Sequence, residues 1–288
     1  MKESWLFLVL YLILAPALGG LLNGADRKIS ARLQGRQGPP LLQPFYDLSK
    51  LFAKEPVSVN RNQTFLICGF LFFIVFTGCL FFWGGDLLLV FFALTLAEIF
   101  YMMAAFSANS PFSSMGAERE LMQAMSYEPM VLLSAIGFYV ATGSFSVREI
   151  ASGGRSAIAF LPGIFAGFVF ILTIKLRKHP FDLSTSHHAH QEMVKGMTTE
   201  ISGSSLGLVE IAHWYETIFL LGVVALFILN ADPRSIPAAV LVCILTYLLE
   251  ILIDNTCSRV KWQTMLKTTW MVTLVAGVIN LMIITMIK

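Results

Sequence analysis

The sequence predicts an all-α polytopic membrane protein, with about eight transmembrane helices and an amphipathic interfacial helix after the first span. Three observations predict it. First, of 288 residues 56% are hydrophobic and 13% charged, and the mean hydropathy is +0.73. Soluble domains run near 45–50% apolar and about 25% charged, so a soluble core could not absorb this surplus. Second, apolar stretches of spanning length recur eight times, and eight spans of about 20 residues would use about 160 residues. Third, basic residues concentrate in every other connection. With 4 Cys and 24 Phe, the chain is neither a disulfide scaffold nor a disordered segment.

The apolar stretches fall at 4–22, 64–83, 86–108, 129–147, 157–176, 211–230, 236–254 and 268–287. The first has no A-x-A cleavage pattern after it and reads as a retained helix, bent at Pro16. The first connection, about 23–63, carries Leu41, Phe45, Leu48 and Phe52 at helical spacing. Gln43, Asp47, Lys50 and Lys54 take the other faces, so this is an interfacial amphipathic helix or a short helix packed on the bundle. Odd-numbered connections hold 15 of the 20 Lys and Arg. Positive loops stay in the cytoplasm, so both termini are expected outside. The long connections at about 23–63 and 177–210 are then cytoplasmic docking loops of a single membrane domain spanning 1–288.

Several ionisable residues fall at membrane depth, where a charge costs several kcal/mol and needs a reason. Glu98 has about ten apolar residues on each side. Glu250 and Asp254 are spaced i, i+4 near the end of the seventh stretch, with Tyr247 on the same face. Glu210, His213 and Glu216 gather at the start of the sixth, and Glu128 opens the fourth. For Glu216 and Asp254, a helix end in the headgroup layer explains the charge as well. Together the set suggests a proton or cation route, because buried carboxylates and His can relay protons.

No hydrolase triad, phosphate loop, dinucleotide fingerprint or haem motif is present. Cys68, Cys79, Cys243 and Cys257 lack metal or redox spacing, so the chain is expected to hold no cluster of its own. In the segment Ser186-His187-His188-Ala189-His190, His187 and His190 would share a helix face. A complete metal-ligand set is not evident, and a subunit contact or a proton-buffering loop is the preferred reading.

Three segments resemble one family. The first is Asp26-Arg27-Lys28 through Arg32, Arg36-Gln37-Gly38-Pro39, then Gln43, Asp47, Lys50-Leu51 and Lys54-Glu55. The second is Gly116-Ala117-Glu118-Arg119 through Ser126-Tyr127-Glu128. The third is Pro180-Phe181-Asp182-Leu183, then Glu192 to Gly196 and Thr199-Glu200-Ile201-Ser202-Gly203. Together they resemble the complex I subunit 1 family, the membrane subunit that docks the hydrophilic arm. Ser110-Pro111-Phe112, Glu128-Pro129-Met130, Asp254-Asn255 and Ser258-Arg259 resemble the hydrogenase branch, and 182–192 is similar to the Ech-type energy-converting enzymes. There are departures. Lys175 stands where the family has a carboxylate, a Ser/His segment replaces most acidic residues after Asp182, and His213 stands where the sixth helix carries an acid.

The resemblance implies the membrane docking and ion-path subunit of a ferredoxin-dependent energy-converting [NiFe] hydrogenase. It implies an ion path through Glu98, Glu128, Asp182, Glu192, Glu200, Glu210, His213 and Glu250. Docking would fall to Asp26, Arg27, Arg32, Arg36, Arg119, His187, His188 and His190. No catalytic residue and no metal ligand are assigned to this chain. The nickel–iron centre and iron–sulfur clusters would sit in partners: hydrogenase small and large subunits and a ferredoxin-like subunit, beside an antiporter-like membrane subunit. Ferredoxin would donate electrons, the lipid bilayer would surround the chain, and no nucleic acid is expected. Glu128, Asp182 and Glu200 are expected to form one acidic cluster. A quinone- or phenazine-reducing complex and a stand-alone transporter remain as alternatives; the latter should show an internal repeat, and none is evident.

Overall fold

The computed structural model describes residues 2–55, 60–185 and 195–287, so Glu192, His187, His188 and His190 lie outside the described residues. Within them the protein is helical, with one isolated bridge between Asp86 and Ser146. Helix α1 spans Lys2–Leu33 and runs on through Pro16. Next come α2 (Gln43–Ala53), α3 (Arg61–Trp83), α4 (Leu87–Phe106) and α5 (Pro111–Thr142). Short α6 (Val147–Ala151) precedes α7 (Pro162–Lys175) and α8 (Gly203–Leu226). Then follow α9 (Ser235–Thr256), α10 (Trp262–Val272), a π-helical stretch Thr273–Val278 and α11 (Ile279–Ile287). Seven of the described helical segments, the last running from Trp262 to Met286, are long and apolar enough to cross a membrane, and shorter α7 makes the eighth span.

Three helices overrun the apolar stretches that announced them. α1 continues past residue 22, so Asp26, Arg27 and Arg32 are helical rather than in a loop. α5 begins at Pro111 in the first turn, where a missing N–H is harmless, and passes through Pro129. Glu128 therefore lies inside a helix rather than opening one. α8 begins at Gly203, which places Glu210, His213 and Glu216 well inside it. The connections at the loop-rich end contract accordingly to 34–60 and 176–202.

The core is aromatic and closely packed. Phe70, Phe91, Phe138, Phe168, Phe219 and Phe227 are fully buried where α3, α4, α5, α7 and α8 meet. Peripheral helices turn apolar faces outward, as at Ile13 on α1, Leu241 on α9 and Met271 on α10, as lipid-facing helices must. Amphipathic α2 packs Phe45 on Trp214 of α8, with ring centroids 5.2 Å apart. Tyr46 and Phe52 keep about half their surface exposed, so α2 both packs on the bundle and presents an apolar face outward.

The position of the site follows from the length of α7. Fourteen residues rise about 21 Å, against about 30 Å for the hydrocarbon layer. Its first turn is held by Asn280, whose Oδ1 accepts the Ile164 N–H at 3.2 Å. Its last residue, Lys175, reaches Glu98 in the middle of α4, so the helix stops at membrane depth. Irregular backbone at that depth is tolerated only where protein or a cavity satisfies it. Here Gln123 Nε2 donates to the Phe181 carbonyl at 2.6 Å, His179 N–H to Asp254 Oδ1 at 2.9 Å, and Val260 N–H to the Pro180 carbonyl at 3.1 Å.

Candidate ion site at the end of the short helix

A cavity of about 910 Å³ opens beside this segment, between the loop-rich ends of α1, α8 and α9. Its lining includes Asp26, Lys175, Arg177, Lys178, Glu210 and His213. The geometry begins with the end of α7. The Arg177 N–H reaches the Ile174 carbonyl at 3.0 Å, and the Lys178 N–H reaches the Thr173 carbonyl at 3.1 Å. This is a Schellman ending, whose left-handed position is usually glycine. Here it is Arg177, at φ 52°. A side chain in that conformation costs about 1–2 kcal/mol. In return, the reversal throws three cations in three directions.

Lys175 turns to α4 and α5. Its ammonium pairs with Glu98 Oε1, and the Tyr127 hydroxyl donates to Glu98 Oε2. Lys175 and Glu98 are each 4% exposed at the side chain, so the charge that looked unexplained at mid-span is a fully buried ion pair. Lys175 also stands 4.3 Å above the Tyr127 ring.

Arg177 turns to α5 and α8. Its Nη2 donates to Glu120 Oε1 at 2.9 Å, and its Nη1 lies 3.8 Å from Glu216 Oε2. Burial opposes its charge, but the Glu120 and Glu216 carboxylates outweigh it and push the guanidinium above its ordinary range. His213 Nδ1 lies 3.0 Å from Arg177 Nη1 and 3.1 Å from Glu216 Oε2. One ring nitrogen cannot accept from Arg177 and donate to Glu216 at once, so His213 has two alternative hydrogen-bonding states.

Lys178 turns to α1 and α9. It bonds Asp26 Oδ2 at 2.6 Å, stands 4.0 Å from Asp254 Oδ2 and lies 5.4 Å above the Tyr247 ring. Asp182 follows on the cavity wall. Burial pushes its carboxyl up to about 7, although Arg259 pulls the other way.

Of the residues expected on an ion path, Glu98, Asp182, Glu210 and His213 are at or beside this system. Glu250 is buried behind it. Glu128 borders a separate pocket of about 80 Å³ with Thr95 and Lys175, and Glu200 is partly exposed after a 3-10 turn. The expected single cluster of Glu128, Asp182 and Glu200 is thus divided, because α5 is continuous and carries Glu128 deeper along its length. Of the expected docking residues, Arg32 and Arg36 are exposed and Arg36 donates to Gln34. Arg119 is partly buried. Arg27 bonds Asp47 at 2.9 Å and fastens α2 to α1. Burial notwithstanding, the Gln43 and Arg27 hydrogen bonds hold the Asp47 carboxyl below its usual range. Asp26 lines the cavity, as Arg27 and Arg36 do, and α1, still helical there, turns it towards Lys178.

Sequence reasoning noted Lys175 only as a departure from the family's carboxylate and gave no role to Arg177, Lys178 or Glu120. The usable signal was three cations within four residues at the very end of the apolar stretch 157–176.

Residues 5–285 match the family described as NADH dehydrogenase. The chain belongs to this family. It is 28% identical to Hydrogenase-4 component C of Escherichia coli (strain K12), with 91% of this chain and 89% of that one covered. It is 26% identical to formate hydrogenlyase subunit 4 of the same organism, over 93% and 94% of the two chains. It is 33% identical to an NADH-quinone oxidoreductase subunit of Rubrobacter xylanophilus, over 82% and 78%. The fold matches a solved chain of the membrane-bound sulfane sulfur reductase, an archaeal respiratory membrane complex, at a TM-score of 0.84 and 24% identity, over 96% and 99% of the two chains. The chain is thus a membrane subunit of the complex I-like and hydrogenase-type kind. Among the described residues its four cysteines are free and no cluster of three metal-ligating side chains occurs.

Proposed function

We propose that this chain is the membrane docking and ion-path subunit of a ferredoxin-dependent energy-converting nickel–iron hydrogenase in the cell membrane, with both termini outside. Hydrogen evolution from reduced ferredoxin would be coupled to outward transport of protons or sodium ions. The nickel–iron centre and iron–sulfur clusters would belong to the large, small and ferredoxin-like partner subunits. An antiporter-like membrane subunit would continue the ion path.

The observation that carries the reading is a cavity lined by Lys175, whose ammonium holds the buried carboxylate of Glu98. Asp182, with its carboxyl near 7, is poised to change its proton count when charge changes above it. Arg177 and His213 would transmit that change, since His213 can exchange its bond to Arg177 for one to Glu216. On the cavity wall, Lys175 holds Glu98. A shift of charge in the cavity alters how tightly that pair holds, and so whether Glu98 accepts a proton. The similarity to Hydrogenase-4 component C and formate hydrogenlyase subunit 4 over about nine-tenths of the chain favours the hydrogenase branch.

One observation favours a second reading. The cavity has the size of small-molecule pockets, roughly 300–1,000 Å³, and a subunit of an NADH-quinone oxidoreductase is also similar. Purifying the native complex and measuring nickel, hydrogen evolution and quinone reduction separates the two. Nickel with ferredoxin-driven hydrogen evolution supports the hydrogenase; quinone reduction without nickel overturns it.

A further inference from the structure

Glu250 is the least explained charge in the molecule. It lies on α9, two turns from the helix end, and its relative exposure is 0%. Among the described residues no hydrogen bond of ordinary geometry reaches either of its carboxylate oxygens, and the one hydroxyl beside it, Thr173, is not a countercharge. An ionised carboxylate cannot be left in such a place without a countercharge or a proton.

Its surroundings name what is missing. From α7 the Thr173 hydroxyl acts on it, and from the segment after α7 the Lys178 ammonium. From its own helix come Asp254, one turn nearer the cavity, and Tyr247, whose hydroxyl donates to the Leu22 carbonyl of α1 at 3.2 Å. From α1 comes Asp26, which holds Lys178 at 2.6 Å and so draws the ammonium towards itself. Lys178 is thereby shared between Asp26 and Asp254 and leaves Glu250 without a close ion pair. Residues two apart on a helix point to nearly opposite sides. Lys175 faces Glu98 and Thr173 faces Glu250, so the last turn of α7 stands between two buried carboxylates.

We propose that Glu250 is the carboxylate of a monovalent-cation site, for a proton or a sodium ion, that opens from the cavity past Lys178 on the opposite side of α7 from Glu98. This rests on the ion-path reading above. One carboxylate with a hydroxyl beside it offers a single negative charge and hard oxygen donors, which suits a monovalent cation and neither a divalent nor a soft metal. Lys178, Tyr247 and Asp254 line the cavity, so the cation would pass between a tethered ammonium and a carboxylate. The cavity would then feed two buried sites in parallel. Lys178, held by Asp26, would guard the second.

The test is carbodiimide labelling of the native complex in its membrane. Dicyclohexylcarbodiimide adds to a protonated carboxyl in apolar surroundings, and peptide mass spectrometry reads the adduct. It reports the site whatever reaction the complex catalyses, so failure of the hydrogenase reading leaves the result interpretable. Glu250 should be labelled, and the label should be absent in an assembled Glu250→Gln complex. Suppression by raised pH alone identifies a proton site. Suppression by sodium at fixed pH identifies a sodium site. Lys178→Met should speed labelling, and an unchanged rate would overturn its role at the entrance. Glu250 that is never labelled, or is labelled to an extent that neither pH nor sodium alters, would overturn the site itself.

Discussion

Lys175, Arg177 and Lys178 leave the end of α7 towards three different carboxylate partners, and each makes its own demand on the fold. A buried ion pair is costly to break from one side, by about 3–5 kcal/mol, because the surviving charge stays buried. Lys175→Met should therefore lower the amount of assembled complex steeply, as native gels of solubilised membranes would show. Adding Glu98→Gln should restore assembly, since an apolar chain beside a neutral amide strands no charge. A double variant that assembles no better than Lys175→Met would show that the two side chains are not partners. Asp182 gives the pH dependence. Its carboxyl is raised from 3.8 to about 7 in the fold, so the folded state binds the proton more tightly than the unfolded chain. Its contribution to stability is complete below about 3.8 and is lost as pH rises through about 7. Thermal inactivation of the complex should therefore quicken between pH 5.5 and 7.5, about the upper part of that window, and Asp182→Asn should flatten the dependence. An unaltered slope in Asp182→Asn would assign the dependence to another group.

The helices explain why some of this was legible in the sequence and some was not. Apolar length located all eight spans, and the period of Phe45, Leu48 and Phe52 located α2, because burial in lipid or at an interface selects those residues directly. The polar extensions of α1, α5 and α8 were hidden, since a helix continuing beyond lipid carries no apolar signature. Pro129 looked like a beginning, although Pro111 is the real one. Glu98 was legible as an anomaly, but its partner was not, because Lys at the end of an apolar stretch looks like an anchor to the headgroups. Close approaches were equally hidden. A Cβ on Gly24 of α1 would lie 2.0 Å from the Leu41 carbonyl oxygen, just before α2. That neighbour is backbone and cannot turn aside. In the proposed function, Gly24→Val should displace α2 from α1 and release the soluble partner subunits from the membrane, measured by their appearance in the supernatant, while the spans remain inserted. Retention of those subunits would show that α2 is not part of the platform. Gly116 is constrained in the same way, with the Met197 backbone nitrogen 2.5 Å from its would-be Cβ, which ties the second recognisable motif to the third.

As a whole the chain is a bundle with one plain end and one end built around a cavity, and the basic residues lie mostly at the latter. Those of α2 and the 34–60 connection should face the cytoplasm, by the usual bias of positive loops. Cysteine reporters at Lys2 and Lys288 should then react with an impermeant label added outside; reaction only after the membrane is opened would invert the topology. Lys175, Arg177 and Lys178 contribute to that bias but are held by Glu98, Glu120 and Asp26. Their chief work is therefore in the site, where α7 brings Lys175, paired with buried Glu98, to the cavity wall. In the proposed function, that pair is the place where the soluble reaction meets the membrane. The most direct measurement is the number of ions moved per hydrogen evolved by vesicles carrying the assembled Glu98→Gln/Lys175→Met double variant. Hydrogen evolution should continue while the number of ions moved per hydrogen falls towards zero. An unchanged number of ions per hydrogen would contradict a role for the pair in coupling.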